Sequence, residues 1–105
     1  MIEAGLMAKY FPNVYVDGCW LAHISPTAYK RALDEWLEIL PANKIFAWGG
    51  DHGIIEHSYA SLVLAKDLIT DVLAAKVNSG YFSKKVAISV ARKILGENAI
   101  KTFGL

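Results

Sequence analysis
The sequence predicts a helix-rich α/β domain built on two parallel strands, and three observations carry that expectation. Two short runs rich in β-branched and aromatic residues, NVYV and KIFAW, each end at glycine and aspartate, the pattern of a buried strand emptying into a loop. Between them lies one amphipathic helical stretch of about the length needed to carry the chain back for a parallel pairing. Two further helical stretches follow the second run, giving the order β-α-β-α-α after an opening helix.

The opening helix is read from IEAGLMAKYFPN, with Leu6, Tyr10 and Phe11 to one side and Pro12 as its stop. The first strand is expected over Val14 to Asp17. In the crossover, Ser25 is placed to cap and Pro26 to take the first helical position, where a missing N–H costs nothing. The helix then runs to Leu40, before Pro41. Tyr29, Leu33, Trp36, Leu37 and Leu40 recur at helical spacing, and Lys30/Asp34 and Arg31/Glu35 form i,i+4 pairs on the opposite side. The second strand is expected over Ile45 to Trp48, followed by a loop from Asp51 to Ser58. A long helix beginning at Tyr59 ends in Asn78, Ser79 and Gly80. Ser83 caps the next, which places Val86, Ala87, Val90, Ala91, Ile94 and Leu95 inward and stops at Gly96. One more turn is allowed in ENAIKTFGL.

Composition narrows the function classes. With 105 residues the chain makes one domain, and its 54% hydrophobic content is high for that size. The 11 basic and 10 acidic residues are scattered, so no basic face for nucleic acid or an anionic membrane is expected. A lone cysteine, Cys19, and an N-terminus without signal-peptide layout point to a reduced, cytoplasmic protein. Lys66, Asp67 and Asp71 interrupt the most apolar helix too often for a membrane span. Two strands alone make a marginal sheet, and open outer edges invite pairing unless covered. A homo-oligomer formed through strand edges and apolar helix faces is therefore expected.

Three segments in order, EAGLMAKYFPNVYVDGCW, WLEILPANKIFAWGGD and SVARKILGENAIKTFGL, resemble the C-terminal end of the metal-dependent amidohydrolase-related superfamily, a family of (β/α)₈ barrels. The likeness covers nearly the whole chain. It implies that the chain is a helix-rich fragment of a TIM-like barrel, residues 1–105 forming one partial-barrel domain, with KYFPNVYVD leading into strand seven, PANKIFAWGGD forming strand eight and ILGENA on a closing helix. In such barrels the chemistry sits beyond the C-terminal ends of the strands. By resemblance, Asp51 matches the strand-eight aspartate that binds a catalytic divalent metal, zinc or similar, or contacts its water and shuttles a proton. A carboxylate suits either task, since it is a hard oxygen ligand and can accept a proton from metal-bound water. Without the resemblance, an aspartate after a strand is more often a turn cap.

The family's other ligands, a His-x-His pair after strand one and histidines after strands five and six, are not in this sequence. One carboxylate cannot hold a catalytic zinc, which takes about three protein ligands. The expectation is therefore a piece contributing Asp51 to a larger hydrolase and inert alone; the parent reaction is hydrolysis, or a related decarboxylation or isomerisation. Trp20, His23, Trp48 and His52, all near strand ends, are the substrate-pocket candidates, each weighed against ordinary packing or loop roles. Asp17 is read as a turn residue or a pocket residue, and Cys19 as a small buried filler. A local cluster of Asp51, His52, Glu56 and His57 matches no established ligand spacing. The competing reading is a small, non-catalytic, α-rich interaction module.

Overall fold
The computed structural model describes residues 1–50 and 52–104. Helix α1 (Ile2–Tyr10) leads to strand β1 (Val16–Asp17), a short helix α2 (Leu21–Ile24) and the amphipathic α3 (Pro26–Ile39). A single 3₁₀ turn, Ala42–Lys44, precedes strand β2 (Ile45–Phe46), and helices α4 (Ile55–Asn78) and α5 (Lys84–Arg92) follow. A π turn over Lys93–Glu97 then joins α5 to the last helix, α6 (Asn98–Phe103). The strands pair in parallel, Val16 beside Ile45 and Asp17 beside Phe46, so the chain is α/β with one helical crossover, as its order of elements predicts.

Each strand is two residues long, shorter than the apolar runs Val14 to Asp17 and Ile45 to Trp48. The ladder stops because the next carbonyl in line, that of Gly18, accepts instead from the Leu21 amide at 3.2 Å as the chain turns into α2. The Ala47 amide donates to the Ile94 carbonyl at 3.0 Å, the Ala47 carbonyl accepts from the Tyr29 hydroxyl at 2.6 Å, and the Trp48 indole turns to Ser61 Oγ at 2.9 Å. Side chains alternate as a pleat requires. Val16, Ile45 and Ala47 are buried in one apolar cluster with Tyr29, Ala32, Leu33 and Trp36 of α3. On the opposite face, Tyr15 and Asp17 are exposed and Phe46 is half-buried, covered only by a stack in which Tyr15 and Phe103 lie 5.6 and 5.8 Å from the Phe46 ring.

Local sequence accounts for most helix boundaries. Ser25 Oγ accepts from the Ala28 amide with Pro26 in the first turn, and extended Leu40 ends α3 one residue before the expected limit. Ser83 Oγ likewise accepts from the Val86 amide at the start of α5. Lys44 reaches back 36 residues to cap α1, donating to the Ala8 carbonyl and, at 2.8 Å, to that of Phe11. Pro12 has no N–H to give the Ala8 carbonyl, so Lys44 takes a group the helix leaves unpaired, while the Phe11 carbonyl also accepts from the Val14 amide at 3.1 Å.

Several expectations are corrected. Residues 55–58 are helical rather than loop, since nothing after Gly53 breaks a helix and Glu56 sits in the first turn, where a negative charge is favoured. Gly96 does not stop the chain's last helical run; the turn widens there, and tertiary bonds to β2 hold it while the helix continues to Phe103. Asp34 bonds Lys76 at 2.9 Å and Lys30 approaches Asp71 at 3.5 Å, so these charges link α3 to α4 rather than pairing along α3. The outer edge of β2 is occupied rather than open, as described below. Among the described residues no helix is long and apolar enough to cross a membrane.

Two buried ionisable groups tie α3 to its neighbours. Burial, reinforced by the negative charge of Asp17, pushes the Tyr29 phenol well above its usual value. For Lys76, 4% exposed, burial pulls the pKa down, but hydrogen bonds to Glu38 (2.8 Å) and Asp34, with their charges, outweigh it and raise the value. The Lys76 ammonium also lies 4.6 Å from the Tyr81 ring centre. Both groups hold their protons more tightly when folded. Their contribution is complete below the unfolded values, 10.0 for tyrosine and 10.5 for lysine, and is lost as pH rises through the folded values. Urea midpoints should therefore decline above about pH 10, and Tyr29→Phe should make that decline shallower. A second expectation concerns the long-range cap: Lys44→Met, which keeps the stem and removes both bonds, should cost about 1–3 kcal/mol in urea unfolding and speed proteolysis within residues 2–11.

Candidate functional site
Because β1 and β2 are parallel, the segments that follow them leave from the same end of the sheet. After β1 come Gly18, Cys19 and Trp20, and then α2 with His23; after β2 come Trp48, the two glycines and His52, and then α4 with His57. The first turn is fixed by Asp17, whose Oδ1 accepts from the Cys19 amide at 2.8 Å. This is a local side-chain turn, so Asp17 takes the structural role of its two alternatives. A Cβ at Gly18 would stand 2.9 Å from both the Ala47 carbonyl oxygen and Tyr29 Cε2, so only glycine lets β1 leave the sheet so close to β2. Cys19 is half-buried, in keeping with a filler.

Trp20 then adopts φ 65°, the only left-handed non-glycine conformation among the described residues. Such a conformation costs of order 1 kcal/mol or more and persists only where surroundings enforce it. Here it delivers the indole, 42% exposed, to within 5.5 Å of the His23 ring and 5.1 Å of the His52 ring. The two imidazoles lie 5.5 Å apart, edge to face, and His57 adds a third at 6.4 Å from His52. His52 is the centre of the group. Its Nε2 is buried with no hydrogen-bond partner and presses on Gly50, where a Cβ would fall 2.1 Å away. That contact explains the glycine: any side chain at position 50 would expel the imidazole.

Three of the four pocket candidates, Trp20, His23 and His52, thus come together at the strand ends. Trp48 does not join them, since its indole is tied to Ser61 on α4. His57, which sequence spacing left as an ordinary loop residue, enters the cluster because α4 begins early enough to present it. Asp51 lies outside the described residues, so its place beside His52 is known only along the chain. Among the described residues no group of three or more His, Cys, Asp or Glu side chains is arranged to hold a metal ion. By themselves the described side chains do not fit a zinc ion. What the cluster offers is an open wall of one indole and three imidazoles, groups that stack on planar ligands and exchange hydrogen bonds. An apolar groove of about 360 Å³ between α4 and α5, lined by residues such as Leu73, Val77, Ala87 and Ile88, shares no residue with it.

Comparison with known proteins finds one relevant likeness. No protein-family model matches the chain, and no solved structure matches it. Protein fluG of Emericella nidulans is 30% identical over 105 residues, an alignment that takes in 98% of this chain and 12% of that protein. The chain is therefore similar, over nearly its whole length, to a small part of a much longer relative.

Proposed function
We propose that this chain is the C-terminal part of an amidohydrolase-like, metal-dependent barrel enzyme, supplying strands seven and eight, the closing helices and Asp51, and that it is inactive by itself. The observation that carries the reading is the convergence of the segments after two parallel strands on one cluster, Trp20, His23 and His52, at the end of the sheet where such barrels keep their chemistry. The sheet supports it too. One face is packed against helices while the other, bearing Tyr15, Asp17 and Phe46, is met by Phe103 of α6 on Phe46 and is otherwise exposed at Tyr15 and Asp17, as for strands whose inner face looked into a barrel. Similarity to 12% of a longer protein agrees with a part rather than a whole.

In this reading Asp51 binds the parent's divalent metal or takes a proton from its water, and Trp20, His23 and His52 form the rim that meets substrate. A metal of this kind activates water and polarises the substrate in hydrolysis, decarboxylation or isomerisation. The setting is cytoplasmic. A second reading, a non-catalytic module that self-associates through its apolar surface, is favoured by the number of large apolar residues left exposed, among them Tyr10 (73%), Ile24 (77%), Ile55 (80%) and Tyr59 (72%).

The coding sequence upstream separates the two. The barrel reading expects an in-frame His-x-His about two hundred residues earlier, as a barrel of roughly 250 residues requires; its absence favours the module. In the extended protein, Asp51→Asn should lower metal content or reduce turnover by about 10²-fold or more with an unchanged circular dichroism spectrum. Full metal loading and full activity in that variant would refute the assigned role. For the 105-residue chain alone, sedimentation should show association at micromolar concentration under either reading, and a stable, well-folded monomer would overturn that expectation.

A further inference from the structure
The parallel ladder fixes which main-chain groups of β2 face outward. Phe46 faces β1, its carbonyl accepting from the Gly18 amide at 2.8 Å, so by alternation the groups of Ile45 and the amide of Ala47 face away. In a strand at the rim of a sheet these would be unpaired and would template a further strand. The Ile45 amide donates to the Ala42 carbonyl within the 3₁₀ turn, while the Ile45 carbonyl and the Ala47 amide are taken by the chain's own C-terminal segment. Asn98, buried among these groups, donates through Nδ2 to the Ile45 carbonyl at 2.9 Å and to the Ala42 carbonyl at 2.6 Å. The π turn presents the Ile94 carbonyl to the Ala47 amide at 3.0 Å, and Phe103 lies on Phe46.

We infer that residues 93–103 act as a releasable guard over the outer edge of β2, which when freed pairs with β1 of a second copy of this chain. Ile94, 2% exposed in the apolar core, anchors the start of this segment, but the segment's hold on the edge of β2 is slight. A single amide nitrogen holds two carbonyls, one main-chain bond comes from a widened turn, and the last ring in the stack, Phe103, is 68% exposed. β1 supplies the matching edge: among the described residues, the outward main-chain groups of Tyr15 and Asp17 have no main-chain partner, and the strand runs in the direction that would continue a parallel sheet. While the guard is on, each chain offers one edge, and edge pairing stops at two copies. With it off, each offers two, and pairing continues. The inference concerns the 105-residue chain by itself, so its test can fail without touching the barrel reading.

The test combines hydrogen exchange with sedimentation on wild type, Asn98→Asp and Phe103→Ala. Asn98→Asp keeps the size of the side chain and replaces both donors with acceptors. It should raise exchange at the Ala47 amide about tenfold or more, leave the Leu33 and Trp36 amides of α3 unchanged, and shift the mass to assemblies larger than wild type at equal concentration. Phe103→Ala should move both readouts the same way by less. Unchanged exchange at Ala47, or faster exchange with no increase in mass, overturns the inference. Should Asn98→Asp also lose protection in α3, Phe103→Ala decides on the same two readouts.

Discussion
The structure turns on the main chain of Ile45 to Ala47. Within three residues, carbonyls accept from Asn98, Gly18 and Tyr29, and an amide donates to Ile94, so helix, strand, π turn and closing helix all meet on one short strand. Lys44, immediately before it, adds α1. Buried main-chain groups left without partners each cost about 1–3 kcal/mol, which makes this concentration of bonds more decisive than any one apolar contact. It also gives the segment NKIFA its physical meaning. Lysine is needed for its reach and donors, isoleucine and alanine for burial at 0% and 1% exposure, and phenylalanine for the ring stack on the far face.

That meaning was only partly legible beforehand. Ser25 with Pro26, Ser83 and the apolar periodicity of α3 are local signals, and the structure follows them to within a residue. Strand position was legible from KIFAW, but strand length was not, because it depends on the Gly18 carbonyl, which turns to the Leu21 amide, and on partners that hold Ala47 from elsewhere in the fold. Those partners, Tyr29 and Ile94, bond the outer edge of Ala47 from 18 and 47 residues away. Gly96 misled for the same reason: glycine weakens a helix locally, yet Asn98 two residues later secures the continuation through bonds to Ala42 and Ile45 that no window of sequence contains.

The ring cluster shows the same division. Trp20 and His23 sit three apart, which places them near one another once α2 forms, and their proximity to strand ends marked them as pocket candidates. Their meeting with His52 depends on the parallel register, and that of His57 on the early start of α4. Neither is a property of spacing. The left-handed backbone at Trp20 has no sequence signature either, since tryptophan is among the residues least expected there. It stands instead as strain stored where two segments converge.

The guarded edge and the proposed barrel bear on each other. A (β/α)₈ barrel closes because strand eight pairs along its outer edge with strand one, and in this chain the Ile45 carbonyl and Ala47 amide on that edge are already bonded to residues 93–103. Both arrangements satisfy the same groups, so they are alternatives, and the free energy separating them is a difference between two sets of hydrogen bonds rather than the full value of either. Such differences are small. A segment that satisfies the edge in the absence of its neighbour, and yields when the neighbour arrives, would let these residues fold without exposing a sticky strand. Tyr15 and Phe46 fit that account on the bare face, where Phe103 replaces a missing layer with one ring and leaves most of its own surface to solvent.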